Sequence, residues 1–143
     1  SKKIKQMKNR VTGLGGFFFK TEDPKGLKNW YGKHLGLPVD DYGCTFWWKD
    51  KEGNDCSTQW STFPKDTTYF KPSEKHFMMN FRVENLVELL AVLKEEGVTV
   101  VGNIEEYEYG KFGWILDPEG NKIELWEPVD KIFTESLEGK TTK

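Results

Sequence analysis

The chain is poor in cysteine, in long apolar runs and in excess charge of either sign, and each shortage closes a class of function. Two cysteines, Cys44 and Cys56, stand apart in 143 residues. They are too few for a disulfide framework, so reduced thiols in a cytoplasmic protein are the expectation. No apolar stretch is long enough to cross a membrane, and no signal-peptide core precedes Val11. A net charge of −2 and a pI near 5.8 give nucleic acid no electrostatic hold. Mean hydropathy is low, at −0.68. The apolar material is concentrated in large rings, ten Phe, six Trp and five Tyr, which fill cores and line ligand cavities equally well. Residues 1–10, S-K-K-I-K-Q-M-K-N-R, read as a solvated basic arm rather than a surface anchor, because their apolar residues are few.

What is present is a repetition. D-K-E-G-N at 50–54 returns as D-P-E-G-N at 117–121. The match extends upstream: Tyr42, Gly43, Trp47 and Asp50 align with Tyr109, Gly110, Trp114 and Asp117. Each half also begins with an apolar strand, 15–22 or 76–84, followed by an N-cap residue, Asp23 or Asn85. Helical stretches over 24–34 and 86–96 follow, each ending at a glycine, Gly36 or Gly97. Both halves therefore predict strand, helix, short strand and hairpin, or βαβββ twice, an α+β fold of two modules at 11–74 and 75–128. In the hairpin turn, proline presets a type I turn and the glycine takes the left-handed position. Turn chemistry alone explains the pentapeptide but not the matched helices, strands and rings. Duplication does.

Such a turn fixes cross-strand partners, and partners share a face. It sets Ile115 opposite Ile123, Trp114 opposite Glu124 and Phe112 opposite Trp126. In the first half Trp47 faces Ser57 and Thr45 faces Gln59. Phe17, Phe19, Phe77, Met79 and Phe81 belong with the helix layer. Gly16, Phe18, Lys20, His76, Met78, Asn80 and Arg82 then share the other face with Glu124. Two such modules side by side form a partly closed, barrel-like cavity lined by that second face. Its polar groups make it a ligand site, the plainer alternative being a filled interior.

D-P-E-G-N-K-I-E-L-W-E-P (117–128), taken with N-F-R-V-E-N-L (80–86) and F-F-F-K-T-E-D-P…N-W-Y-G-K-H-L-G-L-P-V (17–39), resembles the vicinal oxygen chelate superfamily. That superfamily includes glyoxalase I, bleomycin-resistance proteins, extradiol dioxygenases, fosfomycin-resistance enzymes and methylmalonyl-CoA epimerase. The resemblance implies a cavity that, in metal-using members, holds an ion between the leading strands and the last hairpin strands. The carboxylate ligand falls on Glu124, and its first-half counterpart on Ser57, or on Gln59 if the register slips by two. The leading-strand ligands fall on Gly16, which has no side chain, and Met78, a soft thioether unsuited to Zn, Ni, Mn or Fe(II). His76 could be recruited with Glu124 and Gln59, whereas His34 sits at a helix end as a surface or capping residue.

Three functions remain open. The chain is a metal-independent small-molecule binder similar to the bleomycin-resistance branch, with Phe18, Trp47, Ser57, Gln59, His76, Met78, Asn80, Phe112, Trp114 and Trp126 as ligand contacts. A cationic ligand would use Glu124, and an anionic one Lys20 and Arg82, unless that pair is only a rim. Alternatively it is a glyoxalase- or epimerase-type lyase or isomerase, with Glu124 as base or as ligand of a divalent metal (Zn, Ni, Mn or Fe). A purely structural adaptor is the third reading, and it leaves the polar face unexplained. The resemblance implies a homodimer. Residues 103–111, N-I-E-E-Y-E-Y-G-K, are expected as a cavity lip or a solvated loop. In the tail, 129–143, Val129, Ile132, Phe133 and Leu137 recur at helical spacing and predict a short amphipathic helix.

Overall fold

The computed structural model describes residues 10–129. The basic arm, apart from Arg10, and the expected C-terminal helix, apart from Val129, lie outside the described residues. Seven strands and two helices follow in order: β1 (Val11–Thr21), α1 (Pro24–Leu35), β2 (Cys44–Lys49), β3 (Asp55–Pro64), β4 (Phe77–Val83), α2 (Leu86–Glu95), β5 (Thr99–Tyr107), β6 (Gly110–Leu116) and β7 (Lys122–Pro128). The strands form one sheet in the order β2-β3-β1-β4-β7-β6-β5. The two leading strands, β1 and β4, pair antiparallel at its centre. Each then pairs in parallel with the last strand of its own half, β1 with β3 and β4 with β7. The sheet is not closed into a barrel, and β2 and β5 are its two edges.

The two hairpin turns are built alike, atom for atom. Asp50 Oδ1 accepts from the backbone N–H of Glu52 and Asn54 at 3.0 and 2.9 Å, and Oδ2 accepts from Asn54 Nδ2 at 3.2 Å. Asp117 repeats this with Glu119 and Asn121 at 2.9, 3.0 and 2.7 Å. These carboxylates bind their own turn, as Asp does in Asx turns. Both are held below the usual Asp range, Asp50 first by the Asn54 backbone N–H and Asp117 first by the Asn121 side-chain amide. The registers expected from the turns are those observed: Trp114↔Glu124, Phe112↔Trp126 and Ile115↔Ile123, with Trp47↔Ser57 and Thr45↔Gln59 in the first half.

The matched Gly43 and Gly110 open the hairpins at φ of 130° and 139°. A Cβ there would stand 2.0 Å from the Trp60 carbonyl oxygen or 2.4 Å from that of Glu127. Both positions need glycine twice over, for its backbone conformation and for its missing side chain.

The helices differ in how they are held. α2 buries Leu86, Leu89 and Leu90 in a cluster with Val83 and Leu125, and buries Val92 as well, each worth about 1.5–3 kcal/mol. α1 buries no residue fully. Its main ring contact is Tyr31 against Trp60, centroids 4.8 Å apart, and Trp30 stays 50% exposed. Asp23 caps α1 as expected, accepting from the Gly26 N–H at 3.0 Å. Asn85 makes no side-chain cap. Instead Glu127 Oε1, on β7, accepts from the Leu86 N–H at 2.9 Å, so a neighbouring strand supplies the orphan donor's partner.

Three expectations are corrected. The first half is βαββ, not βαβββ: only an Asp40↔Gly43 bridge stands where the short strand was expected. The reason is length. Six residues, 37–42, join Gly36 to Gly43, whereas twelve, 98–109, join Gly97 to Gly110, and Pro38 among the six lacks a donor. Residues 103–107, expected in a loop or lip, instead continue β5, paired with β6 as far as Tyr107↔Gly110. His76 lies before β4 and is exposed.

Candidate ligand-binding site

One sheet face carries α1 and α2, and Phe17, Phe19, Phe77 and Trp60 point that way, Phe17 stacked on Phe77 at 6.3 Å. The other face has no helix among the described residues. Pairing puts Asn80 beside Glu124 and Arg82 beside Trp126 on it.

Glu124, 3% exposed, is a buried carboxylate on that face, and the exposed Glu105, paired with Phe112, shares the face near the sheet edge. Glu124 Oε1 accepts from Asn80 Nδ2 at 2.6 Å and Oε2 from Trp114 Nε1 at 2.9 Å. Oε2 also accepts from the Tyr69 hydroxyl. Three of a carboxylate's roughly four lone-pair directions are thus in use. The strand alternation that buries Glu124 also buries Lys122, two residues earlier and 9% exposed. Its Nζ donates to the Tyr69 carbonyl at 2.7 Å and lies 5.3 and 5.5 Å from the Tyr69 and Trp114 ring centroids. Burial lowers the Lys122 ammonium below the usual lysine range, partly offset by Glu124 and Glu105. Tyr69 is raised above the ordinary tyrosine value by burial first, and then by the charge and hydrogen bond of Glu124.

Residues 65–76 cover this centre. Phe70 is fully buried in a cluster with Met78 and Trp114, packed against Phe18, Phe63, Val101 and Phe112. Met78 is thus an apolar core residue here. Beyond it Phe112 stacks on Trp126 at 5.9 Å and 5°. Arg82 lies between two indoles, its guanidinium carbon 5.4 Å from the Trp48 ring and 5.3 Å from Trp126, and donates to the Ser57 carbonyl at 3.1 Å. Trp48, which the sequence did not single out as a site residue, is thus a first-half tryptophan that reaches Arg82. Lys20, its counterpart, lies 5.6 Å over Phe70.

The site residues read from the sequence fall into groups. Asn80, Trp114 and Glu124 meet directly, and Phe18 and Met78 join the Trp114 cluster. Ser57 and Gln59 form a second polar group, with Gln59 Nε2 donating to Ser57 Oγ at 3.3 Å and Thr45 Oγ1 to Gln59 Oε1 at 2.8 Å. Trp47 is on the hairpin opposite Ser57, and Phe112 and Trp126 form a stacked pair. His76 uses only its backbone carbonyl among these contacts, accepting from the Lys20 N–H at 2.7 Å. Asn80 Oδ1 is buried without a hydrogen-bond partner. It lies against Gly15, where a Cβ would come within 2.1 Å of it. Tyr69 and Lys122 were missed. Alternation along 122–126 places Lys122 on the Glu124 face. For Tyr69 the only signal was a pair of rings, 69–70, inside a polar loop.

The donors do not suit a divalent metal at the positions the resemblance implies. At Gly16 a Cβ would stand 2.7 Å from the Phe18 ring, so that ring takes the space of a ligand side chain. Met78 is packed among rings, both ends of Gln59 are engaged, and Glu124 is held by three donors. Among the described residues no group of three His, Cys, Asp or Glu could hold a metal ion.

Residues 13–125 match a family model described as the glyoxalase/bleomycin resistance protein/dioxygenase superfamily. No curated protein is similar to the chain at a significant level. Among solved structures, methylmalonyl-CoA epimerase from Mycobacterium tuberculosis is similar at 19% identity and a TM-score of 0.57, over 87% of this chain and 93% of that one. A Streptomyces coelicolor methylmalonyl-CoA epimerase variant in complex with 2-nitronate-propionyl-CoA is similar at 12% identity and a TM-score of 0.62, over 83% and 99%. A superfamily member from Vibrio splendidus 12B01 is similar at 12% identity and a TM-score of 0.51, over 80% and 98%. At these identities the likeness is one of fold.

Proposed function

The chain belongs to the glyoxalase/bleomycin resistance protein/dioxygenase superfamily, and on that premise we propose that it binds a small, partly aromatic molecule on the helix-free face of its sheet without a conventional divalent metal centre. The carrying observation is the state of Glu124. The carboxylate at the family's ligand position serves as a hydrogen-bond acceptor among rings, held by Tyr69, Trp114 and Asn80. Trp114, with Phe112 packed against its cluster, supplies aromatic surface beside it. A glyoxalase- or epimerase-type reaction would need a Glu124 oxygen directed at a substrate C–H, with geometry as the first requirement. Tyr69 and Trp114 both point at Oε2, and this favours holding over proton abstraction.

The test is metal analysis of protein purified without chelator, with thermal unfolding in Zn, Ni, Mn, Co and Fe(II). Sub-stoichiometric metal and no stabilisation are expected. Stoichiometric metal that disappears in Glu124→Ala overturns the metal-free reading. Mass spectrometry of co-purifying small molecules then identifies the ligand.

A further inference from the structure

We propose that Glu124, Phe63, Trp114 and Lys122 form a hydroxyaryl-binding site, and that Tyr69 is a resident phenol which a small hydroxylated aromatic compound displaces. The inference rests on the reading of the helix-free face as the ligand site, and it adds the ligand's chemical class. Four recognition elements converge on the Tyr69 side chain. Its hydroxyl donates to Glu124 Oε2. Its ring lies parallel to Phe63, 5.7 Å away at 11°, and perpendicular to Trp114, 6.4 Å away at 89°. The Lys122 ammonium stands 5.3 Å from its centroid. An acceptor for the hydroxyl, a stacking plate, an edge-on indole and a cation over the ring are what a free phenol needs from a protein.

Two features set this apart from a packed loop. Tyr69 is 40% exposed as a residue while the carboxylate its hydroxyl touches is 3% exposed, so the residue spans from the buried acceptor to the surface. It also belongs to the segment between β3 and β4, so moving its side chain breaks no strand pairing. Lys122 holds that segment by the main chain, donating to the Tyr69 carbonyl. The strap can stay tied while the side chain leaves. Burying a carboxylate merely to secure a loop is costly, and an apolar ring in an apolar slot would do the same work. Phenol recognition uses every group present.

The experiment uses p-cresol, the tyrosine side chain without its backbone, and toluene, the same ring without the hydroxyl. In Tyr69→Gly, millimolar p-cresol should raise the midpoint of thermal unfolding by about 3 °C or more, and toluene by less than a third as much. A tethered phenol competes at an effective concentration in the millimolar range, so the wild type should bind p-cresol about tenfold more weakly than Tyr69→Gly. Adding Glu124→Gln to Tyr69→Gly should erase the preference over toluene. If Tyr69→Gly does not fold, Tyr69→Phe keeps the ring but makes a weaker competitor. Tryptophan fluorescence should then show tighter p-cresol binding to Tyr69→Phe than to wild type. Equal responses to p-cresol and toluene, or no gain in either variant, overturn the proposal. All arms run in chelator, so metal retention, which overturns only the metal-free reading, is separable from this result.

Discussion

Tyr69 and Glu124 are 55 residues apart in the chain, and the hydroxyl of one donates to the buried carboxylate of the other. This bond ties the strap over β7 and can be removed by a single oxygen. Tyr69→Phe should cost about 1.5–3 kcal/mol, the range for a hydrogen bond to a charged group, read from urea unfolding at pH 7. Its pH dependence has a definite sign. The folded-state value of Tyr69 is raised, so its contribution is full below the unfolded value of about 10 and is lost as pH climbs through and past it. The gap between wild type and variant should be flat near neutrality and shrink above pH ~10. A gap that widens there contradicts the assignment.

Asn80→Asp tests the other oxygen. It would put a second carboxylate within hydrogen-bond distance of Glu124 in a buried site, where like charges cannot both ionise cheaply. At neutral pH the variant should be destabilised by about 3 kcal/mol or more. Acidification to about pH 5 should narrow the deficit, because one shared proton relieves the pair. Denaturation midpoints at the two pH values decide it.

The paired turns offer a quieter experiment. Asp50 and Asp117 both titrate below the usual Asp range in the folded chain. Their contribution is present above the unfolded value of about 3.9 and is lost as pH falls through and below it. Asp117→Ala should therefore trail the wild type at pH 7 and converge with it as pH falls below about 4. Asp50→Ala should do likewise, and the double variant should add their effects, since the turns share no partners. Urea midpoints across the acid range provide the measurement.

The hairpin glycines should be intolerant. Gly110→Ala and Gly43→Ala combine a backbone conformation that L residues rarely adopt with a Cβ driven into a carbonyl oxygen, so each should cost at least about 2 kcal/mol. By contrast Leu35→Ala, on the weakly packed α1 and 61% exposed, should stay within about 0.5 kcal/mol, whereas Leu86→Ala in α2 should cost about 2–5 kcal/mol. Calorimetry on the four variants ranks them.

The turn pentapeptides made much of this architecture legible. Once D-K-E-G-N and D-P-E-G-N fix two hairpins, the pairing of Trp114 with Glu124 and of Trp47 with Ser57 follows from the pleat, and so does the side of the sheet on which Glu124 stands. Both helices were readable from the cap residues Asp23-Pro24 and Asn85 and from the terminal glycines Gly36 and Gly97. What was hidden depends on contacts between distant segments. The α2 cap comes from Glu127 rather than Asn85, a choice set by β7 lying beside that helix end. Tyr69 sits in a segment without periodicity, and nothing local aims it at Glu124. Lys122 was within reach of the alternation but runs against the expectation that lysine faces solvent. It is buried because the Tyr69 carbonyl and two rings receive its ammonium. The missing first-half strand was readable in the spacing of Gly36 and Gly43, and similarity between the halves masked it.

That short link leaves the sheet with unlike borders among the described residues. On one side, β5 presents exposed Glu105 and Glu106, like charges that repel an arriving strand. On the other, β2 offers Phe46, Trp47 and Trp48 with a single cation, Lys49, at its far end. Main-chain association with a foreign polypeptide is discouraged at the acidic margin, whereas among the described residues the indole margin carries no such like-charge pair, so the strand present in one half and absent from the other gives the sheet a polarity.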